Sequence, residues 1–164
     1  MAHEIERKFL VDPKKFAQAV ANADSVQIKQ GYLCRAMHAS IRLRIVGARA
    51  ILSVKGRVRG FSRSEYEYDI PMADAEAMMQ EMCGNIIEKR RYFVKHENHI
   101  WEVDEFYGDN APLLLAEIEL NREDEEFSLP DFVGREVSKI AAFYNGSLAR
   151  NPFKLWMKDV PEFN

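Results

Sequence analysis

Apolar and polar residues alternate with a period of two along most of this chain, in runs at residues 3–11, 26–36, 40–46, 49–55, 63–70, 86–95, 99–106 and 114–120. Successive side chains of a strand point to opposite faces, so the pattern predicts about eight strands with one apolar and one polar face each. The breaks between runs carry turn chemistry: Gly47 after the third, Glu97-Asn98 after the sixth and Gly108-Asp109-Asn110 after the seventh. Neighbouring strands are therefore expected to pair antiparallel.

Helical spacing interrupts the alternation in three places. Asp12 is placed to cap and Pro13 to begin a short helix carrying Phe16 and Val20. Between Asp74 and Gly84, the residues Ala75, Met78, Met79 and Met82 form a stripe at helical spacing, with Gly84 suited to the C-terminal stop. Such a methionine stripe reads as core filling. A third helix is expected from about Ser138, carrying Ile140, Ala141, Tyr144 and Leu148, with Asn145-Gly146 as its weak point. The tail from Asn151 holds Phe153, Trp156 and Met157, enough apolar surface to pack, with no partner evident from the sequence.

The polar faces are unusual in their charge. Glu4 and Glu6, Glu65 and Glu67, Glu102 and Asp104, and Glu117 and Glu119 stand two apart as acidic pairs, and Arg42 with Arg44 and Lys89 with Arg91 as basic ones. A solvated sheet face explains any one pair. It does not explain the set, because a water-facing sheet gains from mixed signs, whereas like charges on one face raise strong local fields. The arrangement is favourable if a cation meets the acidic pairs and an anion the basic ones. Carboxylate oxygens are the hard ligands that Mg²⁺ or Mn²⁺ prefers, and guanidinium forks match phosphate oxygens. With the charged face turned into a barrel of eight strands, the implied ligand is a metal-complexed phosphate chain.

Composition narrows the classes. The 164 residues, 47% hydrophobic and 30% charged with 8 Gly and 6 Pro, fit one folded domain over residues 1–164. A net charge of −3 argues against a general nucleic-acid binder, so any anion site is local. Cys34 and Cys83 lack metal or disulfide spacing, and His3, His38, His96 and His99 lack metal-ligand spacing. No apolar run approaches the roughly 20 residues that span a bilayer, and a charged N-terminus is unlike a secretory signal. A cytoplasmic protein with neither a membrane nor a nucleic-acid partner is expected. The sequence leaves the oligomeric state open.

The order of these features resembles the CYTH domains, also called triphosphate tunnel metalloenzymes. It runs from Glu4-x-Glu6-x-Lys8 through KQGYL at residues 29–33, Arg42-x-Arg44, Lys55, Arg63-x-Glu65-x-Glu67, Lys89-x-Arg91 and Glu102-x-Asp104 to Glu117-x-Glu119. The resemblance implies an α+β fold, an eight-stranded antiparallel β-barrel forming a triphosphate tunnel with flanking helices. The chain is most similar to the inorganic triphosphatase branch, which implies metal-dependent hydrolysis of tripolyphosphate to diphosphate and phosphate. Class IV adenylate cyclase and thiamine triphosphatase are the enzymatic alternatives, and a polyphosphate-binding module is the non-enzymatic one. On this reading Mg²⁺ or Mn²⁺ sits among Glu4, Glu6, Glu117 and Glu119, with Glu65, Glu67 and Asp104 holding a second ion or its waters. Lys8, Arg42, Arg44, Lys55, Lys89 and Arg91 clamp phosphate oxygens, and Lys8 or Lys55 protonates the leaving diphosphate. Arg7, Arg57 and Arg90 are expected to face outward, and Arg63 is balanced between ligand contact and ion pair. The chain departs from the family near its C-terminus, where Ile140-Ala141-Ala142 replaces charged residues and leaves Lys139 as a weak substitute.

Overall fold

The computed structural model describes residues 5–35, 39–56 and 64–163. Glu4, His3, His38, Arg57 and Arg63 lie outside them. Nine strands are present among the described residues: β1 (Ile5–Val11), β2 (Asp24–Arg35), β3 (Ala39–Val46), β4 (Arg49–Gly56), β5 (Glu65–Ile70), β6 (Ile87–His96), β7 (His99–Phe106), β8 (Leu114–Leu120) and β9 (Val133–Glu136). Helices α1 (Pro13–Ala19), α2 (Met72–Met82) and α3 (Asn145–Leu148) complete an α+β fold. The eight expected strands are all there, with antiparallel pairing in the registers described below. The ninth, β9, is an addition that pairs with β1 through Phe9 opposite Glu136 and Val11 opposite Val133.

The chain forms two compact units, one within Gln27–Glu88 and the other within Glu4–Val26 and Lys89–Asn164. In the first the strands run in the order β5-β4-β3-β2. Leu43 and Ala50 are buried on one face, and α2 packs on β3 and β4 with Ala75 and Met79 buried. The methionine stripe is core filling only in part, since Met82 is exposed. The helix starts at Met72 after Pro71 and ends at Met82, where Cys83 is already extended, so Gly84 is not the stop expected of it.

In the second unit the order is β6-β7-β8-β1-β9. One face of these strands carries Phe9, Val11, Trp101, Val103, Leu114, Ala116, Ile118 and Leu120, which form a buried core with Phe132. Phe9 meets Trp101 at 5.5 Å between ring centroids. As anticipated, Asp12 caps α1, its carboxylate accepting from the Lys14 amide at 2.9 Å, and Phe16 lies edge-on to Tyr92. Arg7, expected in solvent, shares the parity of the core residues. It is half-exposed, lies 5.0 Å over the Phe127 ring and pairs with Glu136 of β9, a partner that the strand pattern did not supply.

The expected long third helix is replaced by a 3-10 turn at Ala141–Phe143 and the four-residue α3. Tyr144 between them is extended and Gly146 lies inside α3, so continuous helix is broken where propensity is poorest. The tail packs: Phe153 is fully buried, Trp156 contacts the rings of Phe143 and Phe153, and the Phe153 amide donates to Asn110 Oδ1 at 2.9 Å. Among the described residues, no helix is long and apolar enough to cross a membrane.

Candidate active site

In the second unit, the strand face opposite the apolar core gathers charge by register. Lys8 lies opposite Glu117, Glu6 opposite Glu119, Glu102 opposite Glu117 and Arg91 opposite Asp104. Alternation therefore delivers cations and carboxylates from β1, β6, β7 and β8 to one surface. Lys8 Nζ sits 2.5 Å from Glu117 and 3.5 Å from Glu6. Arg91 donates to both oxygens of Asp104 at 2.7 Å, to Glu117 at 2.9 Å and to Glu102. Lys89 donates to Asp104 Oδ2 at 2.5 Å.

Burial sets the electrostatics. Asp104 is fully buried, and although burial favours its neutral form, Lys89 and Arg91 hold its carboxyl down at about 2. Burial likewise opposes the charge on Glu117, yet Lys8 outweighs it and the carboxyl is lowered. Lys89 is held below the ordinary lysine value because burial outweighs Asp104. Lys8 is held above it, Glu117 and Glu6 together overcoming its burial. Burial and the nearby Glu117 raise Glu6, and burial raises Glu102.

In the first unit a second cluster occupies the face opposite α2. Arg42 lies opposite Ser53 and Arg44 opposite Ile51 on β3 and β4, while Ser53 lies opposite Glu67 and Lys55 opposite Glu65 on β4 and β5. Lys55 Nζ is 2.8 Å from Glu65, and Ser53 donates to Glu67 Oε1 at 2.8 Å. Arg42 Nη2 lies 3.7 Å from Glu65 and 3.9 Å from Glu67, beyond hydrogen-bond reach, and its buried Nε and Nη2 have no hydrogen-bond partner. A buried donor without an acceptor is disfavoured, so this guanidinium has spare capacity for an oxygen acceptor.

The expected residues thus form one group of Glu6, Lys8, Lys89, Arg91, Asp104 and Glu117 with Glu119 exposed beside Glu6, and another of Arg42, Arg44, Lys55, Glu65 and Glu67. Sequence reasoning missed Ser53, which holds Glu67, and Ser138, whose hydroxyl accepts from the Lys8 amide at 2.9 Å. Tyr144 extends that support, its hydroxyl donating to the Ser138 carbonyl while its ring lies 6.0 Å from Lys8 Nζ. The segment lacking the family's charges therefore backs Lys8 through backbone and ring contacts. Arg90 lies on the face opposite Lys89 and Arg91, as expected, and reaches Ser25.

The donor set suits a hard divalent cation: Glu6, Glu117 and Glu119 offer only carboxylate oxygens, and Glu6 and Glu119 face each other across β1 and β8. Among the described residues, no three carboxylate, imidazole or thiol groups are gathered closely enough to hold an ion by themselves. Glu4, expected to join them, lies outside the described residues.

Comparison with known proteins agrees with this chemistry. The CYTH domain model matches residues 2–149. An inorganic triphosphatase of Acetivibrio thermocellus is 41% identical over 155 residues, covering 94% of this chain and 97% of its own length. One of Nitrosomonas europaea is 35% identical over 150 residues, covering 89% and 96%. A crystal structure of an inorganic triphosphatase superposes with a TM-score of 0.70 at 32% identity over 91% of this chain and 95% of the other. A putative adenylate cyclase of Bacillus halodurans reaches 0.57 at 15% identity over 74% and 82%, a likeness of fold alone. Matched by the family model over most of its length and by relatives across nearly all of it, the chain belongs to the CYTH domain family.

Proposed function

We propose that this protein hydrolyses inorganic tripolyphosphate to diphosphate and phosphate. The observation that carries the reading is the convergence of Lys8, Lys89 and Arg91 on one strand face among carboxylates, in a chain 41% identical to an inorganic triphosphatase. Phosphoryl transfer asks a protein chiefly for position and charge. Lys8, Lys89 and Arg91 would bind phosphate oxygens and offset charge as the terminal bond breaks, and Arg42, Arg44 and Lys55 are the phosphate-binding candidates of the first unit. Family membership implies a divalent cation, and Mg²⁺ or Mn²⁺ fits the all-oxygen set of Glu6, Glu117 and Glu119 with Glu4. Such an ion, when bound, would neutralise charge on the phosphate chain. Glu65 and Glu67 are candidates for a second ion, while Asp104, both oxygens taken by Lys89 and Arg91, would serve by fixing those cations.

The two candidate proton donors to the leaving diphosphate are Lys8, ion-paired with Glu117, and Lys55, ion-paired with Glu65. The test is a parallel assay of tripolyphosphate, ATP and thiamine triphosphate with Mg²⁺ or Mn²⁺, reading both phosphate and cyclic nucleotide. Phosphate release dominated by tripolyphosphate is expected, with losses of at least about a hundredfold in Lys8→Ala and Arg91→Ala. Dominant cyclic AMP formation from ATP would replace the reading by a cyclase, and binding without turnover by a polyphosphate-binding module.

A further inference from the structure

We propose that Gln30 is a substrate-binding residue, its carboxamide donating to a phosphate oxygen beside Arg42. The inference rests on the triphosphatase reading. On β2, Ile28, Gln30 and Tyr32 share one face by alternation. Register fixes which: Gln30 lies opposite Arg44 and Tyr32 opposite Arg42, so Gln30 belongs to the face of the Arg42, Ser53 and Lys55 cluster.

Gln30 is only 2% exposed, and its Nε2 has no hydrogen-bond partner. Burying a primary amide without an acceptor opposes folding, and an apolar side chain of similar size would fill the volume without that penalty. The same face accepts apolar residues nearby, for Ile28 is 3% exposed. The Nε2 of a glutamine here therefore costs the free protein stability that an apolar side chain would keep. Arg42 repeats the situation, with Nε and Nη2 buried and lacking hydrogen bonds. The unsatisfied atoms at Gln30 and Arg42 are all N–H donors, so an acceptor completes them, and an anionic phosphate oxygen is the acceptor that also suits the guanidinium charge of Arg42. Glu65 and Glu67 lie 3.7 and 3.9 Å from Arg42 Nη2, near enough to balance its charge and too far to accept its hydrogen bond, and Glu67 Oε1 accepts from Ser53 instead. Being neutral, Gln30 adds no charge, so its work is to orient the phosphate that the cations attract.

The test compares wild type with Gln30→Met, which keeps the volume and removes the donor. Three outcomes are expected together: a ligand-free melting temperature equal to wild type or higher, a KM for tripolyphosphate raised about tenfold, and kcat changed less than about threefold, as for a bond made equally in ground and transition states. Gln30→Glu, isosteric but acceptor-only, should weaken tripolyphosphate binding by more than tenfold in calorimetry, and it decides the matter if the methionine variant fails to fold. An unaltered KM in Gln30→Met, or unaltered binding in Gln30→Glu, overturns the inference while a working wild type leaves the triphosphatase reading standing. A wild type that neither binds nor cleaves tripolyphosphate overturns that reading first.

Discussion

Asp104 shows how single residues set the character of this site. Its carboxylate has no exposure and its oxygens are occupied by Lys89 and Arg91, while Lys89 is itself 2% exposed. Removing one member of such a pair strands a buried charge, so Asp104→Ala should lose about 3–5 kcal/mol of stability in urea denaturation. The double variant Lys89→Met, Asp104→Leu should regain most of that loss while remaining inactive, since a matched apolar pair restores the packing and not the phosphate clamp. Acid should act on the same pair. With the folded Asp104 held down at about 2 against an ordinary 3.8, its contribution to stability is complete above 3.8 and disappears as pH falls from there toward 2. Acid titrations of wild type and the double variant, monitored by circular dichroism, should diverge across that window, and parallel curves would contradict the assignment. Like-signed pairs made this cluster legible in the sequence, because alternation alone places Lys89 with Arg91 and Glu117 with Glu119 on one face. Gln30 and Ser53 left no mark in the charge pattern because they are neutral residues on a charged face; Gln30 entered only within the KQGYL motif at residues 29–33, with no role of its own.

At the scale of elements, hydrophobic period and turn residues carried most of the information. Gly47 turns β3 into β4 with a positive φ of 56°, and Glu97 turns β6 into β7 at 51°, each where the alternation paused. What the pattern missed is short or irregular. β9 has four residues with Gly134 inside it, too few to display a period, and exists because it pairs along β1. The segment from Ser138 has helical spacing, but its start is tied to β1, the Val137 amide donating to the Lys8 carbonyl at 2.8 Å and the Ser138 hydroxyl accepting from the Lys8 amide at 2.9 Å. Close packing between elements yields a prediction at Gly31 of β2. A Cβ there would lie 2.7 Å from Cys83 Sγ and 2.8 Å from Ile86 Cδ1, both in the segment that follows α2. Gly31→Ala should therefore cost about 1–3 kcal/mol by displacing that segment. Adding Cys83→Ala should recover part of the loss, since Ile86 would still be crowded; equal stability of Gly31→Ala and wild type would show that the segment yields freely.

The whole molecule carries a net charge of −3 and yet is proposed to bind a polyanion. Local pairing in the second unit explains how its cations are kept ready: Lys8 is matched by Glu117, Lys89 by Asp104 and Arg91 by three carboxylates. A phosphate chain approaching these cations meets the carboxylates that hold them, and the two sets of oxygens compete. A divalent cation shared with the carboxylates relieves that competition, so metal and tripolyphosphate should bind with positive coupling, each strengthening the other by the same factor. Titration calorimetry should give tripolyphosphate an affinity at least about tenfold higher with saturating Mg²⁺ or Mn²⁺ than in chelator, a coupling of about 1.4 kcal/mol or more. Chelation should likewise lessen the rise in melting temperature that tripolyphosphate produces, because stabilisation follows the amount of ligand bound to the folded state. Glu6→Gln, with one fewer negative charge beside Lys8, should bind tripolyphosphate in chelator better than wild type and gain less from added metal. Equal affinity with and without metal in wild type would show instead that the cations already outweigh their carboxylates, and would remove the need for charge relief at this face.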